Sequence, residues 1–489
     1  MSAGAHRHAP AADIIIACSH NIRGFFKDDP FIKNQTYYMR SRFVYALLFC
    51  LLFTGAAAQN PIVQTIYTAD PAALVYKDTL FLYTGHDEDS STWFTMKDWH
   101  VYSTTDMVNW TDRGTPLSLK TFKWATQDAW ASQCIERNGK FYWYVCVKDT
   151  TVKRMSIGVA VADKPTGPFT DPLGKPLVAA HWGDIDPTVF IDDDGQAYLY
   201  WGNPDLWYVR LNKDMISYDR DTGVVKVPLG KEGFSYRDKG ADKRPTAYEE
   251  GPWLYKRKGL YYLLYAAGGV PEHLAYSTSH SPTGPWQYQD TLMIRLPVKA
   301  AFTNHPGLVD FRGRTFLFYH NGGLPGGGGF TRSVCVDEAF FNSDGTLKRV
   351  LQTAGLANGV AKADPFIRQE AETIAWSRGV EISAGNGGKL YVSDIHAGDY
   401  IKLRDVDFKK GAKTFLANVA TLNGGTIDIR LDSTNGVKIG TLEIRANSAK
   451  DWKTQSAAVS PVSGVHDVYF LFNGAQGKLF DFDWWQFRK

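Results

Sequence analysis

The chain has 489 residues, a formal net charge of +3 and 44% hydrophobic residues, so it is long enough for two or more globular domains. A charge this close to neutral, with no basic run interleaved with aromatic residues, argues against a nucleic-acid-binding protein. Aromatic residues make up 14% of the chain, and we expect most of them to fill the cores of β-sheets.

The N-terminal segment has the order of a secretory signal. Residues 39–42 (Met-Arg-Ser-Arg) form a positively charged segment, residues 43–53 are apolar, and residues 56–58 are small. The apolar stretch is too short to span a membrane. We therefore predict an extension that is not part of the native chain at 1–38, a signal peptide at 39–58, and a secreted or periplasmic mature protein. The alternative is a genuine extension that precedes a membrane anchor.

Three cysteines remain after that segment: Cys134, Cys146 and Cys335. A hairpin centred on the turn at 137–140 pairs residue 134 with 143 and residue 146 with 131. The first two sulfurs then lie too far apart along the strands for a disulfide. We expect free, buried cysteines.

Between residues 60 and 352, a polar residue opens each of five repeats that continue into an aromatic strand. The openings lie about 55 to 64 residues apart, a period typical of β-propeller blades. We predict an all-β fold with a five-bladed propeller at 60–352, in which equivalent positions of all blades meet at one axis. The openings are Asp70-Pro71, Asp128-Ala129-Trp130, Asp186-Pro187, Glu250-Gly251-Pro252 and His305-Pro306-Gly307.

Four of the five openings carry a carboxylate. In three of them, Asp70, Asp186 and Glu250, a proline follows directly or after one glycine, which suits the start of an innermost strand. Carboxylates that share one cavity repel, so at least one should have a raised pKa. A protonated acid beside an ionised base is what hydrolysis of a glycosidic bond requires. The alternative is that the Asp-Pro pairs only cap strands at blade edges.

The motifs at 68–72, 184–195 and 250–255 resemble the three acidic motifs of family 43 glycoside hydrolases, which are five-bladed propellers that act with inversion. The resemblance implies that Asp70 is the general base, that Glu250 is the general acid, and that Asp186 orients the acid and raises its pKa. Glu249 is adjacent to Glu250, but a one-residue step along a strand points it to the other face. An inverting enzyme holds its base and acid carboxyls about 6.5–9.5 Å apart to admit a water molecule.

Other residues of the propeller have two interpretations each. Trp130 is a candidate for the sugar subsite or for core packing. Arg332 resembles the family's substrate-contacting arginine, and equally suits a salt bridge between blades. His320 matches a histidine near a possible axial cation, and a buried core histidine is the alternative. The role of His305 stays open.

Past residue 352 the sequence pattern changes. We predict a linker at 353–366 and, from the alternation of apolar and polar residues, a β-sandwich (jelly-roll) domain at 367–489. The second domain resembles family 6 carbohydrate-binding modules. That resemblance implies a structural calcium at Glu370, Glu372 and Asp483, whose hard oxygens suit this ion. It also implies a sugar held between Tyr391 and Trp452, although both aromatics could be packing residues.

Together these features predict an inverting, exo-acting hydrolase that removes α-L-arabinofuranosyl side chains from arabinoxylan or a related hemicellulose. The alternatives are a β-xylosidase and, from another class, a non-catalytic carbohydrate-binding propeller. We expect calcium but no organic cofactor, a polysaccharide or oligosaccharide partner, no membrane span in the mature chain, and a monomer.

Overall fold

The computed structural model describes residues 59–489, apart from 238–239, 241–243, 296–300, 422 and 447–450. The predicted extension at 1–38 and the predicted signal peptide at 39–58 lie outside the described residues. In the described part of the chain, no helix is both long and apolar enough to cross a bilayer.

Among the residues that the structure describes, five antiparallel sheets form the first part of the chain, with one short helix, α1 (Lys231–Phe234), and one 3-10 turn at Leu119–Thr121. The strands are β1 (Tyr67–Tyr76), β2 (Thr79–Asp87), β3 (Met96–Thr104), β4 (Trp110–Asp112), β5 (Leu117–Ser118), β6 (Ala125–Gln127), β7 (Ser132–Arg137), β8 (Lys140–Asp149), β9 (Met155–Ala162), β10 (Thr188–Ile191), β11 (Ala197–Trp201), β12 (Trp207–Leu211), β13 (Val225–Lys226), β14 (Tyr248–Arg257), β15 (Leu260–Ala267), β16 (His273–Ser279), β17 (Gln287–Met293), β18 (Gly307–Phe311), β19 (Arg314–Asn321) and β20 (Ser333–Ala339).

The five sheets are arranged as the blades of a propeller. Their innermost strands contact one another in the cyclic order β1, β7, β10, β14, β18 and back to β1. The segment before β1 completes the fifth blade, because the Ile62 amide donates to the Val334 carbonyl at 2.9 Å. The predicted five-bladed propeller is confirmed, and its closure brings the first and last blades side by side.

The hairpin register predicted around Cys134 is also confirmed. Cys134 lies opposite Trp143 in the β7–β8 pair. Cys134, Cys146 and Cys335 are buried and free. Large aromatic side chains fill the spaces among the strands, and Trp99, Trp143 and Trp201 are fully buried.

The C-terminal part is the predicted β-sandwich. Its strands are β21 (Gln369–Glu370), β22 (Thr373–Ile374), β23 (Trp376–Arg378), β24 (Glu381–Ala384), β25 (Leu390–Ser393), β26 (Tyr400–Asp407), β27 (Thr414–Ala420), β28 (Gly425–Leu431), β29 (Lys438–Ile444), β30 (Lys453–Ala458), β31 (Val465–Asn473) and β32 (Asp481–Arg488), and a 3-10 turn lies at Asn386–Gly388. One sheet has the order β24-β25-β32-β27-β30 with β21 on β32, and the other has the order β23-β26-β31-β28-β29.

Backbone pairing joins the sandwich to the propeller. Strand β22 pairs with β4, so the sheet of the first blade continues into the C-terminal domain. Arg404 of β26 donates to the side-chain oxygen of Gln59 at 2.9 Å and to the Leu356 carbonyl at 2.8 Å. The two domains are therefore held together by more than the segment 353–366, which also hydrogen-bonds to each of them.

Candidate active site

A pocket of about 210 Å³ lies at the propeller axis, and the three carboxylates predicted from sequence share it. Its lining combines these carboxylates with two basic side chains and a group of aromatic residues. The lining residues are Asp70, Trp93, Phe94, Trp130, Ala131, Ile185, Asp186, Asn203, Glu250, Thr303, His305 and Arg332. Asp128, which opens the second repeat, is not among them.

The openings repeat a backbone conformation as well as a sequence pattern. Asp70, Asp128 and Asp186 have φ values of 52°, 66° and 58°, and Gly251, directly after Glu250, has 58°. This left-handed region is rarely occupied by residues other than glycine, although aspartate and asparagine are enriched there. In β1 the unusual conformation coincides with a β-bulge between Ala69 and Ala72. Such local strain is often found where a fold positions functional side chains.

His305 lies between the carboxylates. Its Nδ1 is 3.1 Å from Asp70 Oδ1, and its Nε2 is 3.4 Å from Glu250 Oε1 and 3.7 Å from Asp186 Oδ2. The two nitrogens lie on opposite sides of the imidazole, so the ring separates Asp70 from Glu250. The residue whose role the sequence left open is the one that contacts all three predicted catalytic groups.

The buried charges shift one another's protonation. Burial would lower the pKa of His305, but the negative charges of Asp70, Asp186 and Glu250 raise it to about 10. Burial, with the charges of Glu250 and Asp70, outweighs the opposing charge of His305 and raises the pKa of Asp186 to about 7. Burial would also raise the pKa of Glu250, yet the hydrogen bond and charge of His305 and the Asn203 amide lower it.

This distribution of protons differs from the sequence-based expectation, in which an ionised Asp186 raises the pKa of Glu250. The difference arises because His305, which that expectation did not include, lies against Glu250. At neutral pH, protons are held on His305 and partly on Asp186, whose ligand atoms lie within 4.8 Å of that of Glu250.

Arg332 forms the salt bridge between blades that was one of its two predicted roles. Its guanidinium donates to both oxygens of Asp87 on β2, each at 2.9 Å, and to Asp70 Oδ1 at 3.0 Å. The side chain is only 3% exposed and also lines the pocket. It therefore anchors the predicted base, and its contact with substrate stays a prediction.

His320 has both ring nitrogens engaged. Its Nδ1 accepts from the Asp70 amide at 3.1 Å, and its Nε2 donates to the Thr303 carbonyl at 2.8 Å. Burial and the positive charges of Arg332 and His305 lower its pKa well below the usual value. His320 thus offers no free nitrogen to a cation in this arrangement. Among the described residues, the axial ligand atoms that do lie within 4.8 Å of one another belong to Asp186, Glu250 and His305.

The two adjacent glutamates have separate environments, as the strand geometry predicts. Glu249 is paired with Arg237 and Arg244. Glu250 lines the pocket and accepts a hydrogen bond from the Asn203 amide. The structure therefore places Glu250, and not Glu249, beside Asp186 and His305.

Sequence reasoning missed three residues that support the site. Asn203 contacts Glu250, Asp87 holds Arg332, and buried Glu272 accepts the Asn304 amide at 2.9 Å beside His305. Burial, with the charge of Glu250, raises the pKa of Glu272 well above its usual value. Asn203 and Asp87 both lie at or just past the end of a second blade strand, which is the signal that could have identified them.

Aromatic residues surround the pocket. Trp130 lines it and donates from its indole to the Phe94 carbonyl at 2.9 Å. Trp130 also packs against buried core residues, so both predicted roles describe its position. Trp93 is 59% exposed and packs near Phe94 and Phe330, leaving an apolar surface at the pocket edge that suits the C–H face of a sugar.

In the sandwich domain, Tyr391 and Trp452 are brought together as predicted. Their ring centroids are 5.2 Å apart, but the planes meet at 68° in an edge-to-face contact. A sugar held between two rings needs parallel faces with a gap between them. Tyr391 and Trp452 therefore do not form the expected pair of parallel rings with a sugar between them, because the two rings pack against each other.

The predicted calcium ligands of this domain have partners of their own. Asp483 Oδ2 accepts from Lys389 and from the Asn418 amide, and Glu370 accepts from Arg368 at 2.8 Å. Asp483 Oδ1 and Glu372 Oε2 are buried without a hydrogen-bond partner. The three carboxylates do not converge within 4.8 Å in the described structure.

Comparison with known proteins agrees with this geometry. Residues 58–347 match the model of glycosyl hydrolases family 43. The chain belongs to this family. Residues 370–489 match the family 6 carbohydrate binding module, so this family 43 hydrolase carries an appended module of the predicted type.

Some relatives match over most of the chain, including both of its domains. An arabinoxylan arabinofuranohydrolase of Bacillus subtilis is 32% identical over 88% of this chain and 92% of that protein. The crystal structure of a B. subtilis family 43 arabinoxylan arabinofuranohydrolase, in complex with cellotetraose, superimposes with a TM-score of 0.76, at 30% identity, over 89% of this chain and 99% of that one. A compost-metagenome β-xylosidase/α-arabinofuranosidase, CoXyl43, solved with xylotriose in a calcium-free form, covers 61% of this chain and 98% of its own, at 31% identity and a TM-score of 0.53.

The proton on His305 should make the stability of this family 43 hydrolase pH-dependent. Its pKa is about 10 when folded and about 6.5 in an unfolded chain. The folded state then binds the extra proton, so the free energy of unfolding should fall as pH rises through this interval. Between pH 7.5 and 10, denaturant titrations of His305→Gln should show a shallower fall than the parent.

The exposed His280 provides the matched control. His280→Gln should keep the parental slope. Parallel pH profiles for the parent and His305→Gln would contradict a protonated His305 in the folded site.

Proposed function

We propose that this family 43 hydrolase is an inverting, exo-acting α-L-arabinofuranosidase that removes side chains from arabinoxylan or a related hemicellulose. The observation that carries the proposal is the pocket in which Asp70, Asp186 and Glu250 surround His305. Similarity over both domains to proteins named arabinoxylan arabinofuranohydrolases supports this substrate.

In the proposed reaction, Asp70 and Glu250 act from opposite sides of the scissile bond. Asp70, held by Arg332 at 3.0 Å, takes a proton from the attacking water. Glu250 protonates the departing glycosidic oxygen, and water adds to the opposite face of the anomeric carbon. Asp186 supports the acid through the shared network. Its Oδ2 accepts the Gly251 amide at 3.1 Å, which fixes the backbone beside Glu250.

His305 supplies a path between the two carboxylates. After one turnover of an inverting reaction, the base holds a proton and the acid lacks one. Nδ1 of His305 contacts Asp70 and its Nε2 contacts Glu250, at 3.1 and 3.4 Å. We assign to His305 the return of a proton to Glu250, accompanied by compensation of the buried negative charge.

A β-xylosidase is the second candidate, since the CoXyl43 structure, which covers 61% of this chain, carries both activities in its name. The appended module favours the arabinofuranosidase, because the relatives that match over both domains have that name. A non-catalytic sugar-binding propeller is the candidate from another class, and the buried acid–base cluster argues against it.

The module is proposed to hold the enzyme on its polymer, which raises the local concentration of side chains. Calcium in this module is proposed at Glu370, Glu372 and Asp483. The buried oxygens of Glu372 and Asp483 that lack a hydrogen bond are of the hard type that calcium prefers. The three carboxylates do not lie within 4.8 Å of one another, so binding would have to draw them together. Export of the mature chain, to the periplasm or outside the cell, and a monomeric state belong to the same proposal.

Substrate choice can be measured directly. With 4-nitrophenyl α-L-arabinofuranoside, 4-nitrophenyl β-D-xyloside and arabinoxylan as substrates, the enzyme should release arabinose from the polymer and prefer the arabinoside. Chromatography of the released sugars provides the measurement. Release of xylose without arabinose would replace the proposal by the β-xylosidase.

Changing Glu250 to Gln should lower kcat on arabinoxylan by about 10²–10⁴-fold, because the amide cannot protonate the leaving oxygen. Binding of an oligosaccharide, measured by calorimetry, should persist. The exposed Glu232 offers a control, and Glu232→Gln should retain the parental rate. Parental hydrolysis by Glu250→Gln would remove Glu250 from the role of acid.

A further inference from the structure

A second cluster of titratable side chains lies in the first blade, on residues that do not line the catalytic pocket. His86 Nδ1 is 2.9 Å from Asp98 Oδ1, and His100 Nε2 is 3.5 Å from the same oxygen. All three ligand atoms lie within 4.8 Å of one another. The proposed hydrolysis uses none of these residues.

The pairing of β2 with β3 creates this cluster. Asp98 and His100 are two residues apart on β3, so their side chains project from the same face. His86 lies on β2 where the register shifts between Gly85 and Asp87. The shift brings His86 beside Asp98, and Thr115 adds a hydroxyl 3.0 Å from His100 Nε2.

We propose that His86, Asp98 and His100 bind one divalent first-row transition metal, with Zn²⁺ as the preferred ion. Two imidazole nitrogens and one carboxylate oxygen form a donor set that suits such metals better than calcium or magnesium. A water molecule or the Thr115 hydroxyl completes a four-coordinate site.

The distances fit this assignment. Ligands about 2.0–2.1 Å from a tetrahedral zinc ion are separated from one another by about 3.3 Å. The two separations from Asp98 Oδ1, 2.9 and 3.5 Å, lie on either side of that value. The two imidazole nitrogens lie within 4.8 Å of each other, so binding requires only that neighbouring side chains move closer together.

Access and charge favour a cation. The side chains of His86, Asp98 and His100 are 19%, 26% and 14% exposed, so an ion reaches them without opening the core. Glu88 and Asp89 add negative charge near His86, and Lys97, paired with Glu88 at 2.7 Å, offsets part of it.

The metal would also join the two strands beside the contact between Asp87 and Arg332. His86 immediately precedes Asp87, whose carboxylate binds Arg332. A metal that joins β2 to β3 at this point stabilises the end of β2, and through it the anchor of Asp70. This stabilising role does not depend on which sugar the enzyme binds.

Calorimetric titration of the tag-free, chelator-treated protein with Zn²⁺, in the presence of millimolar Ca²⁺, tests the site. One equivalent should bind, and His86→Gln and His100→Gln should each weaken it by more than about tenfold. Co²⁺ should give the visible absorption of a four-coordinate site in the parent and lose it in both variants. Circular dichroism confirms that each variant is folded, and Asp98→Asn serves as a third variant if either histidine change fails to fold.

Two controls separate this site from others. His280→Gln should bind like the parent, and so should Glu250→Gln, which alters the other ligand cluster at the propeller axis. Absence of Zn²⁺ binding by the parent would show that the cluster is only a hydrogen-bonded network. Loss of the bound equivalent in Glu250→Gln, with retention in His86→Gln, would also overturn the proposal.

Discussion

Compensation of buried negative charge is the interaction on which the rest of this structure depends. Asp70, Asp186 and Glu250 are taken out of water at the propeller axis, and unpaired carboxylates there would be costly. His305 contacts all three, and Arg332 pairs with Asp70 from the other side. The same compensation holds protons on His305 and partly on Asp186, so Glu250, whose pKa is lowered, must receive a proton from this network before it acts as the acid.

This arrangement requires a closed ring of blades. Arg332 precedes β20 of the fifth blade, while its partners Asp70 and Asp87 belong to β1 and β2 of the first. Residues at opposite ends of the domain sequence therefore meet only when the last blade packs against the first. The sandwich domain adds to the first blade through the β22–β4 pairing, so the blade that supplies the proposed base also bears the module.

The fold and the three carboxylates could be predicted because they repeat. A period of aromatic hairpins identifies the blades, and the proline after Asp70, Asp186 and Glu250 marks equivalent positions. The residues that support these carboxylates do not repeat. Asn203 contacts Glu250, Asp87 holds Arg332, and Glu272 accepts the Asn304 amide. Each occurs once, at a strand end or in a loop, and only the closed ring of blades shows what it contacts.

The orientation of side chains was the second feature that the sequence could not predict. The sequence brings Tyr391 and Trp452 to one place in the module but does not fix the angle between their rings. The protonation of the site could not be predicted either, since the pKa values of Asp186 and Glu250 depend on His305, whose position is known only from the tertiary structure. The sequence motifs therefore predicted which side chains lie close together. They did not predict which of these side chains carry protons.

The central claim is that Asp70 and Glu250 act as base and acid on opposite faces of the sugar, with His305 between them. Proton NMR of the first product released from an α-L-arabinofuranoside tests it most directly, before mutarotation mixes the anomers. Inversion predicts that β-L-arabinofuranose forms first. Initial formation of the α-anomer would mean that a carboxylate attacks the sugar itself, and would contradict the account.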